Sequence, residues 1–208
     1  MSKENPLGSR LLRLLKNCYL DVLYGRRFLI GSPQNGNNER GWGPSQSSDY
    51  QAIAFLFSSV TVSQEDILVD IGCGYGRVFN WLLYKGIKNK LIGIDVDAQV
   101  AASTYKRFKK YPQVEVVAGD ITTHLPSGSI YYLFNPFSLS IINSFVDQLE
   151  EGMVSGLYTK GRPLILYYNC VHINRFKNNY WTVQELGSIS FSKLPAAIIY
   201  PNFLEKNE

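Results

Sequence analysis

Asp70-Ile71-Gly72-Cys73-Gly74-Tyr75-Gly76-Arg77, entered from the apolar run Ile67-Leu68-Val69 and left through Val78-Phe79, is the stretch on which the fold turns. A short apolar run reads as a buried strand. Closely spaced glycines read as a turn whose backbone approaches a ligand, and the apolar residues that follow open a helix. The spacing separates this loop from two better-known ones. A dinucleotide fingerprint needs G-x-G-x-x-G, and Arg77 stands where its third glycine belongs. A phosphate-binding P-loop needs Gly-Lys-Ser/Thr, which does not follow. Asp70, at the strand end, would repel a pyrophosphate and favour a ligand carrying an ammonium or sulfonium.

Downstream, Leu91-Ile92-Gly93-Ile94-Asp95 is a second strand closed by an acid. Asp95 stands at the distance from the glycine loop at which a carboxylate accepts hydrogen bonds from ribose hydroxyls. Val96 is suited to cover one face of an adenine ring. Beyond Val114–Ala118, Gly119-Asp120-Ile121 offers an acceptor for an exocyclic amine and a second apolar cover. Asp70, Asp95 and Asp120 thus fall at successive carboxyl edges of one sheet, where open α/β sheets bind ligands. Each alone also fits a plain helix cap.

The remaining elements follow the same alternation. Helices are expected over Tyr50–Val60, Arg77–Lys85, Ala98–Lys110 and Ser140–Glu150. Further strands are expected over Ser129–Phe134, Pro163–Tyr168, Trp181–Leu186 and Ala196–Tyr200. The last two have no convincing helix between them and are expected to form an antiparallel hairpin at one sheet edge. The fold class is therefore α/β, a doubly wound, mostly parallel sheet of seven strands.

The series Asp-Ile-Gly-Cys-Gly-Tyr-Gly, Gly-Ile-Asp and Gly-Asp resembles the class I methyltransferases that use S-adenosylmethionine, over roughly Tyr50 to Tyr200. The resemblance implies the same seven-strand sheet with a terminal hairpin. It also implies S-adenosylmethionine as cofactor, with the glycine loop (Asp70, Gly72, Cys73, Gly74 and Gly76) at its methionine part, Asp95 at the ribose, and Asp120 with Ile121 at the adenine; Tyr50, at the end of the long polar loop upstream, is a further candidate at the cofactor mouth, beside Val96 at the ring. Asn135-Pro136-Phe137, after the fourth strand, is similar to the Asn-Pro-Pro-Tyr/Phe motif of enzymes that methylate planar nitrogens, but lacks the second proline. It is also similar to the corresponding place in some lysine methyltransferases. Asn135 is the candidate that orients the acceptor nitrogen and also borders the cofactor; Phe137 is the candidate that packs on the acceptor. The acceptor, whether protein, nucleic acid or small molecule, stays open. The rivals are a binding protein that keeps the cofactor site without catalysis and an NAD(P) oxidoreductase.

Upstream, residues 1–48 stand apart from the expected domain at 49–208. Leu11, Leu12, Leu14, Leu15, Cys18, Tyr19, Val22 and Leu23 recur at helical spacing, with Arg10, Arg13 and Lys16 between them. The expectation is a helix that packs its apolar face on the domain; binding to a membrane surface or a partner is the alternative. Gly31–Ser48 is polar and turn-forming, longer than an ordinary connection, and is expected to be a lid or disordered. Lys106, Arg107, Lys109 and Lys110 read as a solvated helix face, with a nucleic-acid footprint as the alternative.

Composition sets the outer bounds. The chain has 208 residues, 45% apolar and 18% charged, with a formal net charge of +4. This suits one well-filled core and excludes intrinsic disorder. Three scattered cysteines form no disulfide framework and no CxxC metal pair, so no metal is expected. No signal-like start and no apolar run of about 20 residues is found. The expected compartment is the cytoplasm, and the oligomeric state is not legible.

Overall fold

The computed structural model describes residues 6–25, 29, 47–134, 137–158, 162–189 and 193–202. Seven strands form one sheet: β1 (Leu68–Ile71), β2 (Leu91–Asp95), β3 (Val114–Ala118), β4 (Ile130–Phe134), β5 (Leu164–Tyr168), β6 (Trp181–Ile189) and β7 (Leu194–Pro201). Their order is β3-β2-β1-β4-β5-β7-β6. The first five are parallel, and β7 enters antiparallel between β5 and β6. The chain order reverses between β1 and β4, which opens a crevice at their carboxyl ends.

Strands β1, β2, β4 and β5 are apolar almost throughout because both of their faces are covered. Alternation divides their side chains. Leu68, Tyr132, Leu166 and Ile198 face one layer, built on α2 (Tyr50–Ser58) and α3 (Arg77–Tyr84). Val69, Tyr131, Ile165 and Ile199 face the other, built on α5 (Leu139–Val154). Helix α4 (Ala98–Phe108) lies beside β2 and β3, capped by Asp97, whose carboxylate accepts from the Gln99 and Val100 amides. The hairpin expectation holds: β6 and β7 pair antiparallel along their length, with an irregularity at Glu185/Gly187 where Gly187 takes a φ of +68°.

Helix α1 (Pro6–Gly25) packs on α3. Here the sequence expectation is corrected. The face turned to the domain carries Leu20, Asp21 and Gly25, all buried, whereas Leu11, Leu12, Leu15, Tyr19, Val22 and Leu23 are exposed. A buried ion pair, described below, sets the rotation of the helix, and the apolar stripe is left outside. The lid expected over Gly31–Ser48 lies outside the described residues except for Ser47 and Ser48.

Candidate functional site at the carboxyl edge of the sheet

The glycine loop is held from three sides. The amides of Gly72 and Cys73 donate to the Ile94 carbonyl at 2.9 and 3.0 Å, tying the loop to β2. Gly72, Gly74 and Gly76 all have positive φ, +69°, +50° and +73°. At Gly76 a Cβ would stand 2.7 Å from the Phe108 ring and 3.0 Å from that of Phe79, so both conformation and space demand glycine. Thr104 Oγ1 donates to the Gly74 carbonyl at 2.7 Å, and Arg107 Nη2 donates to the Tyr75 carbonyl at 2.6 Å. Arg107 therefore departs from the expected solvated face: it clamps the loop, and its Nη1 also donates to the Gly25 carbonyl at the end of α1.

Behind the loop lies a buried polar cluster. Arg77, at the position a dinucleotide fold would give to glycine, turns back and grips Asp21 with two bonds, Nη2 to Oδ2 at 2.7 Å and Nε to Oδ1 at 3.2 Å. Its Nη1 donates to the Ser48 carbonyl, and its guanidinium lies 5.2 Å from the centre of the Tyr50 ring. The Tyr50 hydroxyl donates to Asp21 Oδ1 at 2.7 Å and accepts from Asn80 Nδ2 at 2.9 Å. Burial, with the Asp21 charge beside it, pushes the Tyr50 phenol far above its usual range. Tyr50 thus braces the loop from behind and does not line the cleft at its front.

In front of the loop, Ser47, Ser48, Asp70, Gly72 to Tyr75, Val78, Tyr132 and Phe134, with Arg77 whose charge is engaged by Asp21, line a narrow cleft of about 30 Å³, room for one small polar group. Register puts its two key side chains together, because Asp70 on β1 is flanked by Tyr132 on β4 and by Gly93 on β2. No described residue donates a hydrogen bond to the Asp70 carboxylate; burial, and then the Asp95 charge, push its pKa up to about 8. The Tyr132 hydroxyl is buried; the Ser48 side chain is the group that faces it, outside ordinary hydrogen-bond geometry. A buried acid left open at a cleft, with a buried hydroxyl beside it, fits a cationic polar group better than a phosphate. The cleft adjoins a cavity of about 250 Å³ bounded by Arg13, Leu14 and Asn17 of α1, by Asp49, and by the stacked rings of Phe134 and Tyr168, 4.8 Å apart.

The other expected residues are placed as follows. Asp95 ends β2 and accepts from two backbone amides, Gly74 to Oδ2 at 2.8 Å and Asp97 to Oδ1 at 3.0 Å. Burial raises its pKa, and those two amides oppose the rise. Each oxygen keeps a second acceptor position. Val96 is half-buried beside it. Asp120 Oδ1 accepts from both the amide and the hydroxyl of Thr122, a local turn, while Oδ2 has no such tie among the described residues. Ile121 is buried, and its carbonyl accepts from Gln148. Cys73 is buried in the loop, its thiol pKa pushed up by burial and then by the Asp70 charge. Phe137 lies over the loop, its ring 3.1 Å from where a Gly72 Cβ would stand, and its carbonyl pairs with His172 Nε2 at 3.0 Å. Asn135 lies outside the described residues.

Sequence reading missed Asp21, Asn80, Thr104 and Tyr132. Only Asp21 left a signal: it is the sole acid within a basic helix.

Comparison with known proteins agrees with this geometry. Residues 68–152, which run from β1 through most of α5, match the family model described as a methyltransferase domain. A methyltransferase from Pyrococcus furiosus superposes with a TM-score of 0.58 at 13% identity, over 95% of this chain and 100% of that one. A methyltransferase from Podospora anserina bound to S-adenosylhomocysteine gives 0.58 at 13%, over 97% and 98%. A dimethyladenosine transferase from Plasmodium falciparum gives 0.50 at 17%, over 74% of this chain; the chain spans 61% of that protein's length. At these identities the likeness is one of fold. No curated protein matches the sequence.

Proposed function

We propose that this chain, whose residues 68–152 match a methyltransferase-domain family model, is a class I S-adenosylmethionine-dependent methyltransferase that transfers the cofactor's methyl group to a nitrogen acceptor. The observation that supports the cofactor part of the reading is Asp70 at the foot of the glycine cleft, a buried acid to which no described residue donates, beside the buried Tyr132 hydroxyl; the nitrogen acceptor rests on the resemblance of Asn135-Pro136-Phe137. Solved relatives of the same fold do not choose the acceptor: one is named a dimethyladenosine transferase and another a precorrin-6y methyltransferase.

When bound, the cofactor supplies a methyl group already activated on a sulfonium. The protein's part is to bind, aim and dry the site. Asp70 and Tyr132 hold the ammonium end, with Gly72, Cys73, Gly74 and Gly76 close to the methionine chain and Tyr50 bracing them. Asp95 accepts from the ribose hydroxyls. Val96 and Ile121 cover the adenine, and Asp120 accepts from its amine. Asn135, on the resemblance of Asn135-Pro136-Phe137, is the residue assigned to accept from the acceptor N–H and so orient its lone pair. Phe137 packs against the acceptor. A protein lysine amine is one candidate acceptor; it must be neutral to react, and a neutral asparagine does not oppose loss of its proton. Residues 49–208 are the cofactor-binding unit in this reading, with residues 1–48 added to it.

Two measurements test it. S-adenosylhomocysteine at a hundredfold excess over its Kd should stabilise the fold by about 2.7 kcal/mol, a Tm rise of roughly 5–10 °C, while NAD(P) should not. Incubation with methyl-labelled cofactor should label one pool among protein, nucleic acid and small molecules. Binding without label in any pool would leave a cofactor-binding protein in place of an enzyme.

A further inference from the structure

The apolar stripe left outside on α1 needs an explanation. Leu12 is 72% exposed, Leu15 and Tyr19 60%, Leu11 59%, Leu23 44% and Val22 42%. At helical spacing these six form one continuous solvent face, opposite the buried Leu20 and Asp21. Isolated exposed leucines are ordinary, but six contiguous large apolar side chains on one helix mark a surface that is covered in use. The stripe runs into a groove of about 460 Å³ between α1, α2 and α3, floored by Leu20, Ala54 and Trp81 and rimmed by Leu12, Lys16, Tyr84 and Lys85. The rim is cationic and aromatic: Lys85 Nζ lies 5.8 Å from the centres of the Trp81 and Tyr84 rings.

Charge selects the occupant. Residues 1–27 hold six Lys and Arg against Glu4 and Asp21, an excess equal to the +4 of the whole chain, so residues 28–208 balance to zero. The whole positive excess is confined to the segment that carries the stripe. A second copy would bring like charge against like charge. The chain's own segment 31–46 is polar, with Trp42 as its one large apolar residue, and cannot cover six. No helix among the described residues is long and apolar enough to cross a membrane. We propose that α1 and the rim of the α1–α3 groove form a docking face for an anionic lipid surface, with the stripe lying in the interface and Lys16 and Lys85 at the level of the phosphates.

Flotation of the full-length protein with vesicles tests this. Vesicles of phosphatidylcholine and phosphatidylglycerol in equal parts should carry the protein upward at low salt, with binding reduced at high salt, and pure phosphatidylcholine should carry much less. Lys16→Gln with Lys85→Gln should weaken anionic-vesicle binding by about fivefold per lysine. Leu12→Glu with Leu15→Glu should abolish it; both sites are exposed, so the S-adenosylhomocysteine-induced Tm rise should be unchanged, which certifies the fold. Failure to float with either vesicle overturns the proposal, as does undiminished flotation of the Glu variant. So does a dimer, measured by light scattering, that the Glu variant splits. None of these outcomes bears on methyl transfer, which the labelled assay judges separately.

Discussion

Two aspartates are buried on opposite sides of the glycine loop, and the protein treats them differently. Asp21, behind the loop, has both oxygens committed, to Arg77, to the Tyr50 hydroxyl and to the Leu29 amide. Asp70, in front, is donated no hydrogen bond by any described residue and stands beside the Tyr132 hydroxyl, which only the Ser48 side chain faces. A buried charge with a complete set of partners belongs to the scaffold, because removing one partner strands the other. A buried acid left open keeps its interactions for something that arrives. The difference separates support from site more sharply than position in the sheet does.

The largest effect should come from breaking the closed side. Asp21→Ala should cost about 3–5 kcal/mol in denaturant unfolding, because it strands the Arg77 guanidinium. The double replacement Asp21→Leu, Arg77→Met should recover much of that. A loss under about 1 kcal/mol for the single variant would erase the contrast between the two sides.

The open side should respond with opposite sign. With a folded pKa of about 8 against 3.8 in the unfolded chain, Asp70 binds its proton more tightly in the native state. Its contribution to stability is therefore full below about pH 4 and lost as the pH rises towards 8. Asp70→Asn should flatten that slope in the ligand-free protein while weakening S-adenosylmethionine. In the proposed complex the cofactor's cation beside Asp70 would displace its proton, so affinity should rise with pH up to about 8, by as much as about tenfold per unit. Titration calorimetry in buffers of different ionisation enthalpy reads the released proton. A pH-independent affinity would detach Asp70 from the ligand.

Smaller effects sharpen the account of the loop between the two sides. Gly76→Ala should be destabilising by about 2 kcal/mol or more, since a Cβ meets Phe108 at 2.7 Å on a backbone at φ +73°. Gly86 has the same φ and nothing within 4 Å, so Gly86→Ala should cost only the conformational part, about 1 kcal/mol. Arg107→Ala should cost about 1–2 kcal/mol by freeing the Tyr75 and Gly25 carbonyls, with faster amide exchange in the glycine loop as its local signature.

Much of the site's frame was legible in the sequence because parallel strands are written as apolar runs, and glycine and aspartate punctuate their ends. Ile67-Leu68-Val69 and Leu91 to Asp95 could hardly be read otherwise, and the absent helix before Ala196 announced the hairpin. The supporting polar cluster was not legible, since nothing local ties Asp21 to Arg77 across the intervening residues. Helical periodicity showed that α1 has an apolar face without showing which way it turns; the ion pair decides that. Arg107 was hidden among Lys106, Lys109 and Lys110, and only its position one turn beyond Thr104 sends it to the loop. Tyr132 looked like core, which it is, except for its hydroxyl.

The place of β7 has a consequence for how the protein is made. Because β7 is inserted between β5 and β6 and hydrogen-bonds to both, the ribosome delivers β6 before the strand that joins it to the sheet exists. Until residues 194–201 emerge, β5 presents an edge of unpaired backbone N–H and C=O groups and β6 has nowhere to dock. During that interval the edge of β5 is open to illegitimate strand pairing, and closure of the sheet waits on residues 194–201, which follow β6 in the chain.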